Sequence, residues 1–314
     1  MARHGFDFMW KHGRDESGAY YFALDREGRP IIAPYSMGSE FFAIMACAAL
    51  YRATGEDLHK DAALASVANV LGRLENPKGQ WNKRLAADRK RVAHDMHMAR
   101  INVGLVLGEC IDVPGLDDMV AESVELILNR FYRPEYGMVF ENLNPDFSID
   151  LDSCDGRLVC PGHALESAWF ILKYAGARKR HDLAEKACAL VKSVLEKGWD
   201  SEHGGIFYFL DALGRPSPNL DWDMKLWWVH AEALVAALSA YATDGDAEML
   251  KWFRRIDEWT WRHFPDAQYG EWFGYLNRRG ETTHLLKGGR WKTFFHLPRA
   301  LMECIFILEK MNWK

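Results

Sequence analysis

Cys160-Pro161-Gly162-His163-Ala164-Leu165-Glu166-Ser167-Ala168-Trp169-Phe170 reads as a loop that turns directly into a helix. Proline suits the first helical position, because the N–H it lacks would be unpaired there anyway. His163 then lies in the first turn, and Glu166 follows three residues later on the same helix face. A glutamate so placed can hold one ring nitrogen of the histidine and set its tautomer, leaving the other nitrogen as a base.

The rest of the chain repeats this plan. Glycine-bearing turns recur at Gly18, Gly79, Gly137, Gly204 and Gly270, at spacings of 61, 58, 67 and 66 residues. Short aromatic or β-type runs follow them: AYYFALD, QWNKRL, MVFENL, GIFYFLD and EWFGYLN. Several close with a second turn, so these segments predict short β-hairpins in the connections. Two helical stretches fill each period. Those before the turns, over 57–76, 115–132, 180–198 and 246–264, carry charge on one face and apolar residues at three-four spacing. Those after the hairpins, over 36–54, 94–110, 161–176, 224–243 and 293–310, are apolar and rich in small residues.

Alternating polar-faced and apolar helices are what a double ring requires, with the first set outside and the second inside. The expectation is an all-α fold, an α/α toroid in a single domain over 1–314. Five outer–inner pairs can be counted, the first outer helix being short. A closed toroid of this kind normally has six, and residues 1–12 have no capping residue ahead of them. The expectation is therefore that one pair and the start of the next helix are missing at the N-terminus.

Composition narrows the function classes. A net charge of −5 and the lack of a basic run argue against a nucleic-acid partner. No apolar run is long enough for a membrane span, and MARHGFDFMWKHGRDE lacks the apolar core of a secretory leader. The six cysteines form no CxxC pair, which reads as reduced thiols in the cytoplasm. Thirteen tryptophans are unusual: much of that is core, but the aromatic excess also suits a pocket that stacks on sugar rings.

The first turns of the apolar helices should open toward one face. They carry Glu40; His94, His97 and Arg100; His163 and Glu166; Trp227, Trp228, His230 and Glu232; and His296 and Arg299. One histidine at a helix start is ordinarily structural. Recurrence at matching places in four of five repeats points to a proton-transfer site. Trp228 and Glu232 share a helix face, an arrangement suited to stacking on a sugar and bonding its hydroxyls; one of the two adjacent tryptophans is expected to be core. His59, His181, His203 and His263, on outer helices or turns, are expected in solvent. No HExxH, nucleophile-elbow or phosphate-loop motif is present, so neither a metal nor another cofactor is expected.

Four motifs together resemble one family: Pro161-Gly162-His163-x-Leu165-Glu166-x-x-Trp169-Phe170, Met224-Lys225-Leu226-Trp227-Trp228-x-His230-x-Glu232-Ala233, Tyr269-Gly270-Glu271-Trp272-Phe273-Gly274-Tyr275-Leu276 and Lys292-x-x-Phe295-His296-x-Pro298-Arg299. With Ser39-Glu40-x-Phe42 and Leu50-Tyr51-Arg52-Ala53-Thr54-Gly55-Glu56 near the start, they resemble the N-acylglucosamine 2-epimerase family and its wider group of mannose isomerases and cellobiose 2-epimerases. The resemblance covers essentially the whole chain. It implies a six-pair α/α barrel that removes the proton beside the carbonyl of an open-chain sugar and returns it on the other face. It implies His163 and His296 as the acid/base pair, with Glu166 orienting His163. It implies Trp228, Glu232 and Trp291 as sugar contacts and His97 as a binding histidine, with Arg100 where the isomerase branch has glutamate. Glu40, His230 and Arg299 complete the expected substrate-binding wall. The family's QGR-type motif is absent, in line with the inferred missing pair.

The expected partner is a small-molecule sugar, with N-acyl-D-glucosamine and N-acyl-D-mannosamine first. An aldose–ketose isomerase or disaccharide 2-epimerase would use the same machinery. A glycoside hydrolase would need two catalytic carboxylates, for which Glu166, Glu232 and Asp223 are candidates, but it leaves the histidines unexplained. A non-catalytic sugar-binding remnant is the fourth reading. An incomplete ring would expose apolar helix faces, which could drive association into a homodimer.

Overall fold

The computed structural model describes residues 1–81 and 90–311. They form two compact units, one of residues 1–81 with 99–121 and the other of residues 90–98 with 122–311. Ten α-helices are described: α1 (Ala2–His12), α2 (Gly38–Thr54), α3 (Asp57–Gly72), α4 (His94–Gly108), α5 (Leu116–Leu126), α6 (Pro161–Arg178), α7 (His181–Gly198), α8 (Trp227–Asp244), α9 (Ala247–His263) and α10 (His296–Lys310). Every helix expected from the periodicity is present, with ends moved by a few residues.

In the first unit α2 packs along α3. The core there is small residues, Ala43, Cys47, Ala48, Ala62 and Ala63, which lets the helix axes approach closely. His59, expected in solvent, is buried. Its Nδ1 lies 3.0 Å from Thr54 Oγ1, and its ring meets Phe6 edge-on at 4.5 Å. An outer helix is polar on one face only, and His59 falls on the other. In this unit α4 and α5 touch at Gly104, where a Cβ would come within 2.2 Å of Val120 Cγ2.

In the second unit α6 packs on α7 and α8, and α8 also packs on α7, α9 and α10. The sequence explains the central place of α8. Trp227–Leu238 has no exposed residue, so a helix apolar on all sides must be surrounded. At roughly 1.5–3 kcal/mol per fully buried large aliphatic side chain, this face anchors the unit. By contrast α9 keeps a charged face outward. Asp246 caps it, accepting a 2.9 Å hydrogen bond from the Glu248 N–H.

The helix expected over 115–132 ends differently. Beyond α5 the chain widens into a π-helical turn, Ile127–Phe131, which buries Ile127, Leu128 and Phe131 together. Phe131 then lies under His94 and His97, 5.5 and 5.6 Å from their rings.

The turn glycines Gly18, Gly79, Gly137, Gly204 and Gly270 all have φ between 52° and 83°, the left-handed region that glycine enters without steric cost. The strands depart from the expectation. Among the described residues, ten two- or three-residue strands pair antiparallel: β1 (Ala23–Leu24) with β2 (Pro30–Ile32), β3 (Val92–Ala93) with β6 (Asn142–Leu143), β4 (Tyr132–Arg133) with β5 (Met138–Val139), β7 (Leu158–Val159) with β8 (Leu210–Asp211), and β9 (Lys225–Leu226) with β10 (Tyr275–Leu276). Only β1–β2 and β4–β5 are local hairpins among the described residues. The other three pairs join the strand just before an inner helix to an arm of the next repeat. Local spacing cannot reveal such pairings, yet they fix where α4, α6 and α8 begin. The run QWNKRL lies partly outside the described residues.

Candidate active site

The site is built at the first turns of α6, α8 and α10, all in the second unit. His163 stands in the first turn of α6, and His296 opens α10. Trp228, in the first turn of α8, lies between them. Its ring is 5.2 Å from that of His163 and 5.5 Å from that of His296, each tilted by 37°. Both imidazoles are partly open to solvent, while Trp228 is nearly covered. Tyr208 meets Trp228 edge-on at 6.0 Å.

The close approach of α6 to Trp228 depends on Gly162. A Cβ there would meet Trp228 Cη2 and Cζ3 at 2.6 Å and Val229 Cγ2 at 2.9 Å. An indole cannot fold away from such a clash. Gly162→Ala is expected to cost about 1–3 kcal/mol by overpacking and to change the fluorescence of the displaced Trp228. A urea melt and an emission spectrum check both.

Each histidine is held through Nδ1 by a buried carboxylate. His163 Nδ1 lies 2.9 Å from Glu141 Oε2, and His296 Nδ1 lies 2.7 Å from Glu232 Oε1. A carboxylate oxygen can only accept, so Nδ1 carries a proton toward it, and Nε2 is the ring nitrogen turned away from the carboxylate. Burial pushes the Glu141 carboxyl up, but His163 and His94 act more strongly the other way and hold it at about 2. Glu232 is likewise pushed up by burial and brought down to about 2 by Arg299 and His296. Both carboxylates therefore remain charged, ready to stabilise an imidazolium.

The partner of His163 differs from the expectation. Glu166 does not orient it. Glu166 is buried against Arg299, with which it forms a short ion pair, and Arg299 Nη2 also donates to Glu232 Oε1 at 2.7 Å. Three residues along a helix bring side chains to one face, but His163 leans to the mouth while Glu166 faces the α8–α10 wall. The orienting residue is Glu141, from the connection between β5 and β6. Its one signal in the sequence is a lone carboxylate inside the apolar run Met138-Val139-Phe140-Glu141.

Glu232 and Arg299, expected on the sugar, are instead inside the wall. Glu232 is wholly buried and also accepts a 2.7 Å hydrogen bond from Trp169 Nε1. The Arg299 guanidinium lies 4.3 Å from the Phe295 ring and 5.1 Å from that of Trp169. His230, a further expected contact, is structural. Its Nδ1 donates to the Leu226 carbonyl at 2.8 Å, its Nε2 accepts from the Ile206 N–H at 3.0 Å, and burial pushes its pKa down to about 3. His97 is buried with Nδ1 at 3.3 Å from Ser123 Oγ. Glu40, in the first unit, is buried as well. It accepts from the Tyr20 N–H at 2.9 Å and from Arg73 Nη1 at 2.6 Å. Trp291 lies on the loop before α10 with 60% of its surface exposed, 5.7 Å from the Arg290 guanidinium.

Among the described residues two groupings offer three metal-ligand side chains each: His94, Glu141 and His163, and Glu166, Glu232 and His296. In both, the atoms are already paired with one another or with Arg299. Chemically, the arrangement is two oriented imidazoles around one aromatic floor, able to take a proton at one place and give it at another.

The model of the family described as N-acylglucosamine 2-epimerase (GlcNAc 2-epimerase) matches residues 1–300. The chain is 37% identical to the N-acylglucosamine 2-epimerase of Bos taurus over 318 residues, covering 99% of this chain and 74% of that protein. It is 34% identical to that of Homo sapiens, covering 96% and 72%. The solved cellobiose 2-epimerase from Bacillus thermoamylovorans B4167 superposes with a TM-score of 0.80 at 19% identity, over 98% of this chain and 80% of that one. This likeness shows the fold, the α/α-toroid class read from the repeat.

Proposed function

The chain belongs to the N-acylglucosamine 2-epimerase family, and from that premise we propose that it interconverts N-acyl-D-glucosamine and N-acyl-D-mannosamine with His163 and His296 as the two acid/base residues. It is a carbohydrate epimerase. In the open-chain sugar the proton on C2 is acidified by the C1 aldehyde. Inversion needs a base on one face of C2 and an acid on the other.

The observation that carries the reading is the pair of imidazoles flanking Trp228, each with Nδ1 on a buried carboxylate. The neutral ring on one side takes the C2 proton through Nε2, and the carboxylate behind it stabilises the imidazolium formed. The electron pair moves onto the C1 oxygen as an enediolate. The helix N-termini at this mouth favour that negative charge. The second imidazolium then delivers a proton to the opposite face of C2. Trp228 supports the sugar between the two, and Trp291, exposed on the loop before α10, is the second aromatic expected to meet it. A hydrolase would need two catalytic carboxylates, and two of the three candidates, Glu166 and Glu232, are committed to Arg299.

No described helix is long and apolar enough to cross a membrane. Six unpaired cysteines fit a reducing, cytoplasmic setting, and the net charge of −5 fits a protein that does not bind nucleic acid. Met302, Ile305 and Phe306, exposed along α10, would favour a homodimer.

The test is an NMR assay with N-acetylmannosamine in D2O. N-acetylglucosamine carrying deuterium at C2 is the expected product. No exchange at C2, with mannose or glucose converted to a ketose instead, would move the chain to the isomerase branch.

A further inference from the structure

The two histidines are not held alike. Behind His296, Glu232 is met by Arg299 and Trp169, a permanent cation and a neutral donor, neither of which titrates near neutral pH. Behind His163, Glu141 is met by a second imidazole. His94 is wholly buried, with Nδ1 at 3.4 Å from Glu141 Oε1 and Nε2 at 2.9 Å from Ser167 Oγ. The other oxygen of the same carboxylate serves His163 Nδ1 at 2.9 Å. One carboxylate is thus shared by two imidazoles whose ring centres are 6.4 Å apart.

We infer that His94 is a positioning residue that sets the proton occupancy of His163 through their shared carboxylate, Glu141. This rests on the reading of His163 as an acid/base residue. A carboxylate oxygen can only accept, so the His94 Nδ1–H donates to Glu141 Oε1, while Nε2 is held at 2.9 Å by Ser167 Oγ. Part of the basicity of the carboxylate is spent there, so His163 holds its proton less tightly than beside a carboxylate of its own. No proton is gained or lost overall: what His163 takes from C2 stays on its Nε2, and its Nδ1–H remains on Glu141 Oε2.

The titratable groups facing His163 are Glu141, His94, the Cys160 thiol and the Tyr208 phenol. Burial opposes charge on His163, but Cys160 and Glu141 outweigh it and raise its pKa well above the ordinary value. A histidine pushed too far in that direction stays protonated and is lost as a base. His94 opposes that drift without disturbing the geometry at Nε2.

The test compares His94→Phe with His94→Gln by NMR titration of the His163 imidazole and by the pH profile of kcat. The phenyl ring removes the donor to Glu141 Oε1. The pH at which His163 deprotonates should then rise by about one unit. On the acidic limb kcat should fall by about tenfold and recover at higher pH, with KM unmoved. The side-chain amide introduced by His94→Gln can donate to the same oxygen and should restore the parent profile. An unshifted His163 in His94→Phe, or the same shift in both variants, would overturn the inference. Should His94→Phe not fold, the unaltered protein decides: His94 resonances must respond at the pH where His163 titrates, and their silence would sink the idea. The NMR titration needs no turnover, so it stands apart from whether the chain epimerises N-acylated sugars.

Discussion

Replacing His163 with asparagine is expected to stop epimerisation, lowering the rate by at least about 10²- to 10⁴-fold, the share general acid–base catalysis ordinarily supplies. Asparagine is the informative choice. Its amide nitrogen sits close to where Nδ1 was and can still donate to Glu141, whose carboxylate lies 2.9 Å from that atom. What disappears is Nε2, the atom assigned to proton transfer. The same holds for His296→Asn against Glu232, at 2.7 Å. The two variants should differ in a second measurement. With one acid/base residue left, the enzyme can still remove and return the C2 proton on one face. Each variant should therefore exchange C2 hydrogen for deuterium in only one of the two epimers, and in opposite ones, without forming the other sugar. NMR in D2O reads both effects at once. Inversion within tenfold of the parent rate in either variant would remove that histidine from the pair.

The second large effect is on stability. Arg299→Met should destabilise the fold by about 3–5 kcal/mol, because it leaves Glu166 and Glu232 charged and buried without their cation. Methionine fills much of the volume against Phe295 and Trp169, so the loss reports charge more than packing. The pH dependence distinguishes this cause from a simple cavity. Glu232 has its carboxyl lowered from 4.5 to about 2 in the fold. A lowered folded-state value contributes stability that is complete above the unfolded value and lost as pH falls through the folded one. The difference between parent and variant should thus be largest above pH 4.5 and shrink toward about 2. Urea melts at several pH values measure it. Equal midpoints for the two proteins near neutrality would show that the ion cluster contributes nothing. Glu166→Gln, which keeps a hydrogen-bond acceptor for Arg299, should cost less. It should also leave the titration of His163 alone, since Glu166 is not its partner.

The corrections share one cause. His230, Glu232, Arg299 and Glu166 read as pocket residues because they lie in the first turns of helices that open at one end. Residues three or four apart share a helix face, but at about 1.5 Å rise per residue the later one lies roughly a turn further from the mouth. On α8, Trp228 points to the mouth, while Glu232, one turn further in, points into the wall beside Trp169 and Arg299. A charge so placed must be paired, and the pairing turns expected sugar contacts into the supports of His296. Glu141 escapes sequence reasoning for the converse reason. It lies in a connection between two-residue strands, where no helical periodicity marks its direction, and pairing across repeats brings it to His163: its N–H donates to the Leu158 carbonyl just ahead of α6, and its carbonyl accepts from the His94 N–H.

By itself the sequence determined the repeat, the helices and their two kinds, the positive-φ turns and the family, and it marked the two histidines proposed as the acid/base pair. Each of these rests on spacing along the chain or on residue type, which local physics converts directly into structure. Only the tertiary structure decided which carboxylate stands behind which histidine, that His94 shares Glu141 with His163, and that Arg299 belongs to the wall. Those are matters of a few ångströms between residues up to 133 positions apart. They follow from how helices pack and strands cross between repeats, which no local pattern encodes.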